Sequence, residues 1–165
     1  MTPLRAILAL ALGLAAEIAL GRWAPSTRDY VDVMMAAVAW YGIARSQRSA
    51  MLMGCAAGLL QDAWFETGVF GINGFVKTLL GWALGGLGAR FDLNQAAGRL
   101  ASGAVLSVAG RVLEAGILRL LDRASGPLDP VGLLIRAVTG GLLVVVVFAI
   151  LNRVRGKEAL QRRAG

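Results

Sequence analysis

Five ionisable residues, Glu17, Lys77, Arg111, Glu114 and Arg136, interrupt stretches that are otherwise almost free of charge, and Asp62 stands at the end of another such stretch. In hydrocarbon each charge costs roughly 2.5–3.5 kcal/mol on insertion scales, so each needs a partner or water. The set balances: the acids Glu17, Asp62 and Glu114 stand against the bases Lys77, Arg111 and Arg136. Arg111 and Glu114 are three residues apart, on one face of a helix, and can pair directly. Asp62 and Lys77 can meet across the turn between their segments. The expectation is a polar cluster buried among helices on one side of a membrane, opening as a shallow water-filled cavity. A plainer alternative has Lys77 and Arg136 snorkelling outward along their alkyl stems while Glu17 reaches water from its helix end. These residues are not an acid–base pair beside a nucleophile. The chain has no histidine, which excludes Ser–His, Cys–His and His–metal chemistry, and its single Cys55 excludes a disulfide framework. A di-aspartyl intramembrane protease needs two facing aspartates inside the membrane, and no segment interior holds one. The expectation is therefore a protein that is not an enzyme, with no cofactor and no metal.

Small residues form a second pattern. Gly54 and Gly58 are four apart, as are Gly81 and Gly85, and Ala11, Ala15 and Ala19 repeat at the same spacing. Helices in lipid associate through such faces, because packing replaces the hydrophobic drive that operates in water. Gly74, Lys77, Gly81, Gly85 and Gly88 share one helical face, so Lys77 emerges from a surface that a neighbouring helix should cover. Gly103, Ser107, Gly110, Arg111 and Glu114 do the same further along. These faces serve either packing within the bundle or docking of another protein's helix.

The elements that must position these residues follow from composition. Hydrophobic residues make up 57% of the chain and charged residues only 16%, with a mean hydropathy of +0.66. A soluble domain carries about 25% charge. Long uncharged runs alternate with short clusters of Arg and Asp, the mark of repeated spanning segments of about 20 residues. Six segments are expected, at about 4–21, 30–44, 49–65, 69–89, 97–121 and 131–151, forming one transmembrane domain over 1–152 with a basic tail at 153–165. Together they occupy the chain without leaving room for a soluble domain. Glu17 within the first run, and the lack of a small-x-small site, favour a retained helix over a signal peptide. The fold class is thus an all-α membrane protein, a six-transmembrane-helix bundle.

Orientation follows from Lys and Arg in the short loops. With the N-terminus inside, ten basic residues face the cytoplasm (Arg5, Arg45, Arg48, Arg90, Arg99, Arg153, Arg155, Lys157, Arg162 and Arg163). Four face outward, Arg22, Arg28, Arg119 and Arg123. Both termini are therefore expected in the cytoplasm, and the outer loops hold Asp29, Asp32, Asp62, Glu66, Asp122 and Asp129. The in-membrane charges then fall mostly in the outer half. The net charge of +7 sits at the membrane edges, where it attracts anionic lipid, and nucleic acid is excluded as a partner for want of a groove-forming domain.

A third pattern runs from Gly58 through Asp62 to Gly71 and Asn73, with Trp64, Phe65 and Phe70 suited to the membrane interface. A helix ends near Asp62 and another opens near Gly71. This G-x-x-x-D run, the short loop and the glycine after it, with Trp40-Tyr41 and the basic turn at Arg45–Arg48, resemble the rod shape-determining protein MreD family. The resemblance is best from about Asp29 to Ala89. It implies an inner-membrane scaffold of the cell-elongation and peptidoglycan-synthesis machinery that binds MreC. Through MreC it implies a larger complex with RodA, the elongation transpeptidase and MreB. It also implies a fold similar to the S-components of energy-coupling-factor transporters. The alternative function is accordingly an S-component-like vitamin-binding subunit, with the polar cluster as its pocket and the Ala11, Ala15 and Ala19 face as a docking surface.

Overall fold

The computed structural model describes residues 3–24, 30–44, 46–65 and 69–164, with side chains for those between 6 and 153. The described residues form six helices and no strand: α1 Pro3–Trp23, α2 Val33–Ala44, α3 Gln47–Phe65, α4 Ile72–Gly88, α5 Ala96–Leu120 and α6 Pro130–Ala164. The helix starts differ from the expected ones because capping residues, not hydropathy, set them. Asp32 accepts the Met35 amide at 2.9 Å and starts α2 at Val33. Ser46 accepts the Ser49 amide at 3.3 Å and starts α3 at Gln47. Asp129 accepts the Gly132 amide at 2.9 Å, with Pro130 following at the first helical position, where its missing N–H is no loss. The basic tail does not form a separate element, because α6 continues to Ala164.

Among the described residues, three helices are long and apolar enough to cross a membrane: Ala6–Trp23, Ala96–Leu120 and Pro130–Arg153. The other three expected spans fall short of that standard. α2 has 12 residues, about 18 Å at 1.5 Å per residue against a hydrocarbon core of about 30 Å. α4 has 17 residues, and α3 carries Gln47, Arg48, Gln61 and Asp62 within its 19.

The short helix is nevertheless the hub. α2 packs against all five other helices, and eight of its residues, from Met34 to Gly42, are buried. Trp40 and Tyr41, both buried, meet edge to face with centroids 5.0 Å apart. Val76, Leu80 and Leu84 of α4, Leu106 of α5 and Val144 and Phe148 of α6 complete the core. By contrast α1, α5 and α6 turn large apolar residues outward, among them Leu12, Val105, Leu134 and Val146. Such a continuous apolar exterior is an aggregation hazard in water and a normal surface in lipid.

Two antiparallel pairs frame the bundle. In the α3–α4 pair a Cβ on Gly54 would run into the Lys77 carbonyl, and one on Gly58 into the Asn73 carbonyl. A Cβ on Gly81 would stand 2.6 Å from the Ala50 carbonyl, and one on Gly85 2.5 Å from the Gln47 Cα. All four of these glycines thus lie in one internal seam. In the α5–α6 pair Gly103 and Gly140 meet in the same manner. Ala11, Ala15 and Ala19 are exposed on α1. α1, α3 and α5 finish, and α2, α4 and α6 begin, at what is here termed the polar end.

Candidate functional site

The polar end holds a cleft of about 280 Å³ lined by residues of every helix or its flank, including Glu17, Asp32, Gln61, Arg111, Glu114 and Arg136. Its walls follow from the packing. α1 packs on α2 and α3 but not on α5 or α6, and α3 does not pack on α5 or α6. The cleft therefore lies between an α1–α3 wall and an α5–α6 wall, with α2 and α4 between them.

Glu17 is 7% exposed. It accepts the Met34 amide at 3.0 Å and the Gln61 side-chain amide at 2.7 and 2.8 Å. The first of these bonds satisfies an orphan N–H of the α2 N-terminus, where the helix dipole also favours an anion. The same Gln61 nitrogen stands 3.3 Å from Asp32 and so bridges two carboxylates. Asp32 in turn caps α2 and pairs with the Lys77 ammonium. Lys77 is buried, and its charge is met inside the bundle rather than by snorkelling. Arg111 reaches Glu114 at 3.3 Å, each side chain about a fifth exposed, as their spacing led one to expect. Arg136 lines the cleft without a hydrogen bond to its buried Nε, and it forms no ion pair among the described residues. Below, Thr139 donates to the Tyr30 carbonyl at 2.7 Å, tying α6 to the strand of chain that enters α2.

Asp62 stands apart from this group. It does not meet Lys77, whose partner is Asp32, and it does not line the cleft. It is 2% exposed and turned toward the start of α4. There it accepts the Gly71 amide at 3.0 Å, the Gly74 amide at 3.2 Å and the Asn73 side-chain amide at 2.9 Å. A carboxylate from the end of one helix thus caps the next. Gly71 has φ of +97°, a left-handed conformation that only glycine adopts cheaply, and it turns the chain so that two amides converge on Asp62. Gly58, one turn before Asp62, lets the α4 backbone approach closely enough for the cap to form. Gly58, Asp62 and Gly71 are therefore one device, a clasp at the α3–α4 turn. Trp64 and Phe70 flank it and are exposed. The intervening residues 66–68 lie outside the described residues, as do Arg28, Asp29 and Arg45, together with the side chains of the basic tail.

Of the charged residues singled out in the sequence, four line the cleft: Glu17, Arg111, Glu114 and Arg136. Lys77 reaches the cluster from below through Asp32. Asp32, Gln61 and Asn73 were missed as members. Asp32 carried a legible signal, an acid directly before an apolar run, which marks a helix N-cap. Gln61 and Asn73 carried none beyond being amides in apolar surroundings.

The class defined by these features is an all-helical protein, with helices able to span a membrane and a charged cleft at one end of the bundle. No family model, curated protein or solved structure matches the chain.

Proposed function

We propose that this chain is a multi-pass inner-membrane scaffold of the MreD kind, binding MreC within the bacterial elongation machinery and through it RodA, the elongation transpeptidase and MreB. In this reading all six helices lie in the bilayer, as in the S-components of energy-coupling-factor transporters, and α2 tolerates its shortness because its neighbours shelter it. The bias of basic residues puts both termini in the cytoplasm and the polar end in the periplasm. The observation that carries the reading is the clasp. The residues on which the resemblance rests, Gly58, Asp62 and Gly71, act together to hold one turn at the polar end, with Trp64 and Phe70 exposed beside it. Such an aromatic-flanked clasp suits recognition of a partner entering from the periplasmic side.

The second reading, a vitamin-binding transporter subunit, is favoured by the exposed stripe Ala11, Ala15 and Ala19 on α1, which would receive a transport partner. Affinity purification of the tagged protein from its own cells in mild detergent separates the two. MreC is expected among the retained proteins, and its loss is expected with a Trp64→Ala, Phe70→Ala variant that still folds. Retention of transporter ATPase subunits in place of MreC would overturn the scaffold reading.

A further inference from the structure

The cleft is electrically balanced in composition but not in pairing. Lys77 is matched by Asp32, and Arg111 by Glu114. Glu17 and Arg136 remain, one acid and one base lining the same cavity, neither in an ion pair among the described residues. The Glu17 carboxylate keeps acceptor capacity beyond its bonds to Met34 and Gln61, since two oxygens offer about four lone-pair sites. Arg136 lines the cleft, and its buried Nε has no hydrogen-bond partner among the described residues. A lone anion in this cleft would face Glu17, Asp32 and Glu114, and a lone cation would face Arg111 and Arg136. A molecule carrying both charges meets neither objection and leaves the cluster neutral.

We propose that the cleft binds a small zwitterion, its ammonium at Glu17 and its anionic group at Arg136 with Arg111, the chemistry of an ethanolamine phosphodiester. A volume of about 280 Å³ stands at the lower limit of small-molecule sites, roughly 300–1,000 Å³, and accepts a group of that size rather than a large cofactor. Among the described residues α1 does not pack on α5 or α6, so the side between them is where the group would enter. There the headgroup of a phospholipid could enter while its chains stay along the exposed apolar faces of α1 and α6. The same chemistry is offered by a free water-soluble zwitterion. The inference rests on the membrane reading and not on MreC.

The test is native mass spectrometry of the full chain in neutral detergent, with phosphatidylethanolamine, phosphatidylglycerol and glycerophosphoethanolamine as separate probes. Phosphatidylethanolamine is expected to be retained in preference to phosphatidylglycerol by about tenfold, the value of one charge-assisted contact. Retention of phosphatidylethanolamine but not of glycerophosphoethanolamine identifies a lipid as the source, and retention of both identifies the headgroup alone as sufficient. Glu17→Gln is expected to abolish the preference between the two lipids, and Arg136→Gln to weaken both. Equal retention of the two lipids by the unaltered protein overturns the proposal without any variant having to fold. So does a folded Glu17→Gln protein that keeps the preference. Scoring MreC in the same preparations keeps a failure here distinct from a failure of the scaffold reading.

Discussion

Replacing Asp62 with alanine should undo the clasp at the α3–α4 turn. The carboxylate is 2% exposed and accepts from two backbone amides of the α4 start and from the Asn73 side chain. Alanine leaves both backbone N–H groups orphaned, at about 1–3 kcal/mol each, with the low end apt because the polar end admits water. It also removes the anion at a helix N-terminus, a further ~0.3–1 kcal/mol. The expected loss is about 3 kcal/mol. Asp62→Asn keeps an oxygen in place for the two amides and should cost about 1–1.5 kcal/mol, from the lost charge and the lost acceptor for Asn73. Gly71→Ala should cost about 1–2 kcal/mol for its left-handed backbone, and less than additively with Asp62→Ala because both act on one turn. The assay is equilibrium unfolding in mixed micelles, followed by helical circular dichroism and by the fluorescence of the tryptophans, Trp64 lying two residues from the substitution. An Asp62→Ala protein within about 0.5 kcal/mol of the unaltered chain, the range of an ordinary surface change, would refute the clasp. So would equal losses for alanine and asparagine.

Two further outcomes follow from the packing. Gly54→Ala drives a methyl into the Lys77 carbonyl and should cost about 1–3 kcal/mol, whereas Gly116→Ala meets open space and should be neutral or stabilising by up to about 1 kcal/mol in the same unfolding assay. Lys77→Met leaves Asp32 buried without its counter-ion and should cost about 3–5 kcal/mol, while adding Asp32→Asn, which keeps the α2 cap, should recover most of that loss in a double-mutant cycle.

The six helices were legible because each apolar run ends in residues that cannot continue a helix in lipid. Their starts were not, because hydropathy changes gradually while a cap acts at one residue. Hence the second segment is expected at Tyr30 and begins at Val33, directly after Asp32. The fourth is expected at Val69 and begins at Ile72, directly after the left-handed Gly71. The glycine faces were legible as packing surfaces, but spacing alone did not say that both glycine pairs line one seam between α3 and α4, offset along it, each against the backbone of the other helix. Arg111 and Glu114 were legible as a pair since their contact is local. The partner of Lys77 was not, since Asp62 and Asp32 were both within reach in the sequence and only the three-dimensional course of α2 distinguishes them.

What misdirected the pairing of Asp62 is also what organises the site. Matching acids to bases treats side-chain cations as the only partners for a buried carboxylate. A helix N-terminus is another, with about half a positive charge and several unpaired amides. In a bundle whose helices alternate in direction, the N-termini of α2, α4 and α6 gather at one end. Asp32 and Glu17 serve the first, Asp62 the second and Asp129 the third. The acids concentrated at that end are therefore largely accounted for by caps, before any ligand or partner is invoked. Once caps and ion pairs are assigned, Arg136 is the charged side chain of the cleft without a cap or an ion pair of its own among the described residues, since Asp32, the carboxylate it acts on electrostatically, already pairs with Lys77. Glu17 caps α2 and still keeps acceptor capacity, so it and Arg136 are the groups of the cleft that an outside zwitterion would meet.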